Sequence, residues 1–248
     1  MDSHETHGLR LEEFAFDGFL IDLDGTLIDS TEAVVRHWAD VGKLIGVNPQ
    51  VILESSHGRR SLDVLNIVAS EFATWEFVRK IEGAIPLNHG HLATEIPGAV
   101  DFMTALIAIS APSALVTSST LPLVIGWQKT LNLPLPEPEF LVTAESVPIG
   151  KPDPACYALG REKLGLTDET LDLLVVEDSP AGIEAGKAAN CKVVGLLTSH
   201  TYEQIVAAKP NWIVQDLKSL KVLQSTGGKV SIEMTSLSIA PSGPKSRN

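Results

Sequence analysis

Phe19-Leu20-Ile21-Asp22-Leu23-Asp24-Gly25-Thr26-Leu27-Ile28-Asp29-Ser30 is the stretch that decides how the chain is read. An apolar run of strand length delivers two carboxylates two residues apart, and Gly25 and Thr26 break the run, so a buried strand is expected to end in an acidic turn. Open α/β sheets hold their ligands at such strand ends. Neighbouring acids repel in water-poor surroundings, so a proton or a cation must sit between them, and a hard divalent ion such as Mg²⁺ suits oxygen donors. For Asp22 and Asp24 taken alone, a solvated acidic turn is the competing reading.

Working outward, 248 residues accommodate one large domain or a core with a smaller insertion, and a hydrophobic share of 44% is ordinary for a chain with a sizeable core. The formal net charge of −12 argues against nucleic acid and anionic membrane as main partners. An anionic ligand would then need local cations, a metal or helix N-termini. Cys156 and Cys191 have no metal-ligand spacing, so buried reduced thiols are expected, which fits a cytoplasmic protein. No signal peptide and no membrane-spanning run are visible, and a monomer is expected.

From Ser30 to about Glu95 the pattern is helical. Val34, Val35, Trp38, Val41 and Ile45 form one stripe over 31–45, with Ser30 as the expected cap and Gly46 as the stop. Shorter helices are expected over 49–54, 61–70 and 74–82. After the Pro97-Gly98 break, strands at 114–117, 140–143, 173–177, 192–197 and 212–214 alternate with helices, which predicts a mostly parallel, doubly wound α/β sheet. The expected division is therefore an α/β core over 1–29 and 96–248, with disordered tails at about 1–13 and 238–248, and a helical insertion over 30–95. A weak alternation over 229–234 leaves room for an edge strand.

Three further signals stand at element junctions. Ala114-Leu115-Val116-Thr117-Ser118-Ser119 ends a strand in hydroxyls, which either cap a helix or hold phosphoryl oxygens. Gly150-Lys151-Pro152-Asp153-Pro154 presents Lys151 between residues that restrict its swing, although a surface lysine before a helix is common. Val175-Val176-Glu177-Asp178-Ser179-Pro180 again brings adjacent acids off an apolar strand, for which a metal is the natural partner.

D-L-D-G-T-L at 22–27, the Thr117 strand end, G-K-P-x-P at 150–154 and E-D-S-x-x-G at 177–182 together resemble the four motifs of the haloacid dehalogenase-like hydrolases. The resemblance implies that Asp22 is the nucleophile that accepts a phosphoryl group and Asp24 the general acid and base. It assigns phosphoryl binding to Thr117 and charge neutralisation to Lys151, with Ser118 adjoining. Mg²⁺ would be held by the Asp22 side chain, the Asp24 carbonyl and Asp178, with Glu177 near it. The insertion resembles the family's small all-helical cap. Ser56-His57-Gly58-Arg59-Arg60-Ser61, Ile81 to Pro86, Ile96 to Val100 and Ala185 to Ala189 are similar to the fungal glycerol-3-phosphatase and 2-deoxyglucose-6-phosphatase group. For His57 and Arg60, a loop closing over a small phosphorylated metabolite competes with a surface loop whose arginine pairs with acids. Ser119, where that group tends to have Gly, and Asp153, where His is often found, leave the substrate open. The implied activity is a Mg²⁺-dependent phosphatase of polyol or sugar phosphates; a phosphomutase and a catalytically silent binding protein are the alternatives.

Overall fold

The computed structural model describes residues 8–56 and 59–238. Strand β1 (Leu9–Phe16) precedes β2 (Gly18–Ile21), which runs into Asp22, and β3 (Ile28–Asp29) follows the acidic turn. Helices α1 (Thr31–Ile45), α2 (Pro49–Ser56), α3 (Ser61–Val68), α4 (Trp75–Gly83) and α5 (Ile85–His89) lead to β4 (Thr94–Glu95). Alternation then sets in with α6 (Ala99–Ala108), β5 (Ser113–Val116), α7 (Leu121–Leu131), β6 (Leu141–Val142) and α8 (Ala155–Lys163). It continues through β7 (Leu173–Glu177), α9 (Pro180–Ala188), β8 (Lys192–Leu196), α10 (Tyr202–Ala208) and β9 (Trp212–Val214), and the hairpin β10 (Leu220–Thr226) and β11 (Lys229–Leu237) closes the series.

Six strands form the central sheet in the order β6-β5-β2-β7-β8-β9, all paired in parallel. Every residue of β2, β5 and β7 is buried. Parallel strands covered on both faces need apolar side chains at successive positions. Phe19, Ile21, Leu115 and Val176 feed one apolar cluster, while Leu20, Ala114, Val116 and Val175 feed the cluster on the opposite face. Each fully buried side chain of this size contributes roughly 1.5–3 kcal/mol relative to exposure. The chain leaves β2 for β5 and β6 on one side and later returns to β7 on the other. In that register Ile21 pairs with both Leu115 and Val176, so the residues beyond the three strand ends emerge side by side. This is the switch point at which such sheets bind ligands.

Between β3 and β4 the helices pack around an apolar cluster of their own, including Trp38, Val41, Ile52, Leu65, Val78 and Ile81. The antiparallel pairing of Ile28 with Glu95 and Asp29 with Thr94 brings the start and the end of this insertion together. Helix α1 ends as expected at Gly46, whose φ of 73° accommodates a left-handed stop. Its start differs, because Ser30 makes no capping bond to the helix and instead donates to Asp24.

The termini also depart from expectation. Residues 9–13, read as part of a disordered tail, form most of β1, which pairs with β11 along its whole length. β11 is no edge strand: it is the centre of a three-stranded antiparallel sheet in the order β1-β11-β10. Its Val230, Ile232 and Met234 are buried against the main apolar cluster while the residues between them are half-buried. One covered face needs apolar side chains only at alternate positions, so the segment is poorer in them than a core strand. Ser238 N–H donates to the Gly8 carbonyl at 2.8 Å, and the remaining tail expectations, for residues 1–7 and 239–248, lie outside the described residues. Cys156 and Cys191 are buried and unpaired.

Candidate active site

Asp22 stands just past β2, and its Oδ1 accepts a hydrogen bond from Lys151 Nζ at 2.5 Å. The same ammonium donates to Glu177 Oε1 at 2.6 Å and to the Val116 carbonyl at 3.2 Å, so its three donors are all engaged inside the protein. Burial by itself would lower the Lys151 pKa. Asp22 and Glu177 override that and hold it above the ordinary lysine range. Glu177 is fully buried with both oxygens occupied: Oε1 also accepts from Tyr157 OH, and Oε2 accepts from the N–H groups of Asp178 and Ser179 and from Ser179 Oγ. Burial favours its neutral form, but Lys151 and these donors win and keep the carboxyl below the usual range.

Asp178 follows β7 and accepts from Thr26 Oγ1 at 2.9 Å and from Ser199 Oγ. Burial first, then the neighbouring Glu177, push its pKa up to about 7. Asp22 is likewise raised, by burial and by Glu177 and Asp178, with Lys151 opposing. Carboxylate oxygens of Asp22, Glu177 and Asp178 all lie within 4.8 Å of one another. Three buried acids against one ammonium are a donor set that fits a hard divalent cation. Because the donors on Glu177 already saturate it, Asp22 and Asp178 are the side chains left to ligate. The turn between them requires glycine at position 25: its φ is 87°, and a Cβ there would lie 2.1 Å from Asp178 Oδ2. Gly182 is needed for a similar reason, since a Cβ would come within 1.7 Å of Glu177 Oε1.

Asp24 is half-buried and held at both oxygens, by Ser30 Oγ at 2.7 Å and Ser119 Oγ at 2.5 Å. Thr117 is buried past β5; its Oγ1 accepts from Ser119 N–H at 3.0 Å, which leaves its own proton for an outside acceptor. Asp22, Asp24, Thr117, Ser118, Lys151 and Asp178 all line one cavity of about 250 Å³. That is small beside the roughly 300–1,000 Å³ of common ligand clefts. Val34, Trp38, Leu53 and Ile85 of the insertion form an apolar wall on it, interrupted by His37, Arg59, Ser61 and Glu82.

Of the two readings of Arg60, the structure supports the pairing with an acid and not the contact with a substrate. Arg60 is buried and turned from the cavity, with Nε and Nη2 on the Asp63 carboxylate at 2.8 and 3.0 Å. Its Nη1 and Nη2 also donate to the carbonyls of Ala144, Val147 and Pro148 at 3.2, 2.9 and 3.1 Å. A planar fork of five donors suits such a multi-carbonyl clamp, and Arg60 therefore fastens the insertion to the segment before Lys151 and does not meet the substrate cavity. Arg59 is the guanidinium on the cavity wall, and it has no ion pair among the described residues. His57 lies outside the described residues.

Several residues of the site have roles that no motif assigned. Ser30 and Ser119 grip Asp24, Tyr157 grips Glu177, and Glu82 reaches Thr120 N–H at 2.8 Å from the insertion. Ser199 was findable: Thr198-Ser199-His200 follows a predicted strand in the same way that Thr117-Ser118-Ser119 does.

Residues 16–190 match the family model described as haloacid dehalogenase-like hydrolase. Glycerol-1-phosphate phosphohydrolase 1 of Saccharomyces cerevisiae is 37% identical over 210 residues, covering 82% of this chain and 83% of the relative. Hexitol phosphatase A of Escherichia coli is 36% identical over 217 residues, covering 78% and 95%. Among solved structures, a family IA hydrolase from Entamoeba histolytica superposes with a TM-score of 0.69 at 20% identity, covering 82% of this chain and 95% of that one, which bears on the fold alone. Within the described residues no helix is long and apolar enough to cross a membrane. A family match over most of its length and a relative this similar across both chains place the protein in a known group: it belongs to the haloacid dehalogenase-like hydrolases.

Proposed function

We propose that the protein is a Mg²⁺-dependent phosphatase of small phosphorylated polyols or sugars, with the helical insertion acting as a cap over the site. The observation that carries this is the Asp22–Lys151 contact at 2.5 Å, on the wall of the same cavity as Asp24, Thr117 and Asp178. Relatives named for glycerol-1-phosphate and hexitol phosphate support the substrate class.

In this reading an Asp22 oxygen attacks phosphorus and the bond to the leaving oxygen breaks, giving an aspartyl-phosphate. Asp24 gives its proton to the leaving alkoxide and then takes one from the water that attacks the aspartyl-phosphate. Ser30 and Ser119 hold Asp24 at both oxygens and so fix the direction of that transfer. The Thr117 hydroxyl faces the phosphoryl oxygens, and Lys151, its donors engaged by Asp22, Glu177 and the Val116 carbonyl, contributes its positive charge beside Asp22. Asp22, Asp178 and the Asp24 carbonyl would hold Mg²⁺, which supplies positive charge against those oxygens when bound. Spontaneous hydrolysis of phosphate monoesters is slow enough that enhancements reach ~10²¹, so a covalent route and electrostatic stabilisation are both called for.

The test is phosphate release from a panel of esters, glycerol phosphates, hexitol and hexose phosphates among them, with Mg²⁺ and without any bisphosphate activator. Turnover of a polyol or sugar phosphate is expected. Release only in the presence of a bisphosphate would point to a mutase, and no release from any ester would overturn the reading.

A further inference from the structure

Glu82 is a buried carboxylate that the chemistry above does not use. It closes α4 of the insertion, borders the cavity, and is 4% exposed. Its Oε1 accepts from Ser61 Oγ at 2.5 Å within the insertion, and its Oε2 accepts from Thr120 N–H at 2.8 Å on the core. Thr120 stands immediately before α7 and gives that helix no side-chain cap; its own Oγ1 is buried without a partner among the described residues. Glu145, on the core segment after β6, links the same two elements indirectly, accepting from Leu121 N–H at 3.3 Å and pairing with Arg79 of α4 at 3.1 Å. The Thr120 N–H at the start of α7 is therefore held from the insertion directly, and the Leu121 N–H by a core carboxylate with which the insertion pairs; both are groups that an α-helix cannot satisfy by itself.

What precedes that helix is the loop Thr117-Ser118-Ser119. Ser119 donates from its backbone to Thr117 and from its hydroxyl to Asp24. A shift of Thr120 moves Ser119, and with it both the hydroxyl that faces a phosphoryl oxygen and the carboxyl that must align with the leaving group. Burial, against the bonds from Ser61 and Thr120, raises the Glu82 pKa from 4.5 to about 7.

The geometry points to Glu82 as a positioning residue for the phosphoryl site: by accepting the Thr120 N–H it fixes the start of α7, and so the Thr117–Ser119 loop and its hold on Asp24, when the insertion is packed on the core. This rests on the phosphatase reading for its activity readout. The loop serves the phosphoryl group and the proton donor, which are shared by every ester, whereas a contact to the leaving group would discriminate between esters.

The experiment compares Glu82→Met, which keeps the volume and removes both acceptors, with Glu82→Gln, which keeps an acceptor for Thr120. Kinetics are taken on p-nitrophenyl phosphate and on the best polyol phosphate, and inorganic phosphate binding is measured by calorimetry. Loss of a direct oxyanion donor costs about 10²–10³ in kcat, so this indirect loss is expected to lower kcat roughly 10- to 100-fold for Glu82→Met. Both esters should lose alike, with KM changed less than about threefold, and phosphate should bind more weakly. Glu82→Gln should stay within about threefold of wild type. If Glu82→Met does not fold, Glu82→Asp, too short to reach Ser61 and Thr120 together, carries the same comparison. Unchanged kcat in the Met variant, a loss confined to the polyol ester, or equal damage in the Gln variant overturns the proposal. A wild type inactive on all esters defeats the phosphatase reading instead, and the phosphate-binding comparison then still decides the role of Glu82.

Discussion

Arg59 and Arg60 are neighbours in sequence with opposite surroundings, and replacing each with alanine is expected to give opposite results. Arg60→Ala removes the donors to two buried carbonyls, Ala144 and Val147, as well as the bidentate pair to Asp63. A buried polar group left unpaired costs ~1–3 kcal/mol, while Asp63, partly exposed, recovers water, so a loss of about 3–5 kcal/mol is expected. For a chain of this size that corresponds to a fall in Tm of roughly 10 °C, read by calorimetry or thermal fluorescence. The clamp lies on the segment leading to Lys151, so activity on p-nitrophenyl phosphate and on a polyol phosphate should fall by the same factor. Arg59→Ala, at an exposed residue with no ion pair among the described residues, should leave Tm within about 1 °C. It should raise KM for the polyol phosphate by up to about tenfold, ~1.4 kcal/mol, and change p-nitrophenyl phosphate much less. An Arg60→Ala protein of unchanged Tm with a selective KM defect would refute this division and restore Arg60 as a substrate contact.

Asp22→Asn should reduce phosphate release by well over a hundredfold while circular dichroism stays native, since the amide fills the same space and cannot act as the nucleophile; activity above a hundredth of wild type would remove Asp22 from that role. EDTA should stop release and added Mg²⁺ should restore it, and full activity in chelator would mean that the acid cluster holds no functional metal. His37 concerns stability: burial, then nearby His89, lower its pKa from 6.5 to about 4, and its Nε2 has no partner among the described residues. A lowered folded pKa means stability present above pH 6.5 and lost as pH falls toward 4, because the unfolded chain takes the proton first. His37→Leu should therefore gain on wild type by about 2 kcal/mol between pH 8 and pH 5, measured by urea unfolding, and a pH-independent difference would contradict the assignment.

The parallel core was legible because burial on both faces forces near-continuous apolar runs, as in Phe19–Ile21 and Leu173–Val176, and a strand end cannot hide paired acids. Helix α1 could be read to its last residue because its apolar stripe and Gly46 agree. The antiparallel sheet was harder, since β1 exposes Leu9 to Glu13 and draws its order from the ladder with β11, a pairing across more than two hundred residues. The sequence signal for it is Gly227-Gly228 between two alternating runs, which marks a two-residue hairpin, and both glycines have positive φ. At the site, motif spacing located Asp22, Thr117, Lys151 and Asp178 because each must follow a strand or a restricted turn. It could not separate Arg59 from Arg60, because which of two adjacent side chains faces inward depends on the helix that begins at Ser61. Nor could it show that Ser30 serves Asp24 in place of the helix it precedes, since a hydroxyl has the same local signature in either role.

The overall charge of −12 and an anionic substrate are reconciled within a few ångströms of Asp22. At 4.8 Å two carboxylates repel by ~3–4 kcal/mol at an effective dielectric of ~20. Burial and then the neighbouring Glu177 charge accordingly push the Asp178 pKa up to about 7. Lys151 cannot answer that repulsion alone, because its ammonium is already divided between Asp22 and Glu177. A phosphate dianion entering such a pocket would add to the excess of negative charge. In the proposed reaction the additional positive charge must therefore arrive with a divalent cation, and the neutral donors Thr117, Ser118 and the backbone N–H groups add hydrogen bonds without altering the count. Glu177 then has a distinct part: saturated by five donors, it anchors Lys151 from behind and keeps the ammonium directed at Asp22 without competing for the metal. Two adjacent acids in the sequence thus take different work from their surroundings: in the proposed reaction Asp178, with one hydroxyl donor on each oxygen, is the one to meet the cation, while Glu177, saturated by five donors, is closed to it.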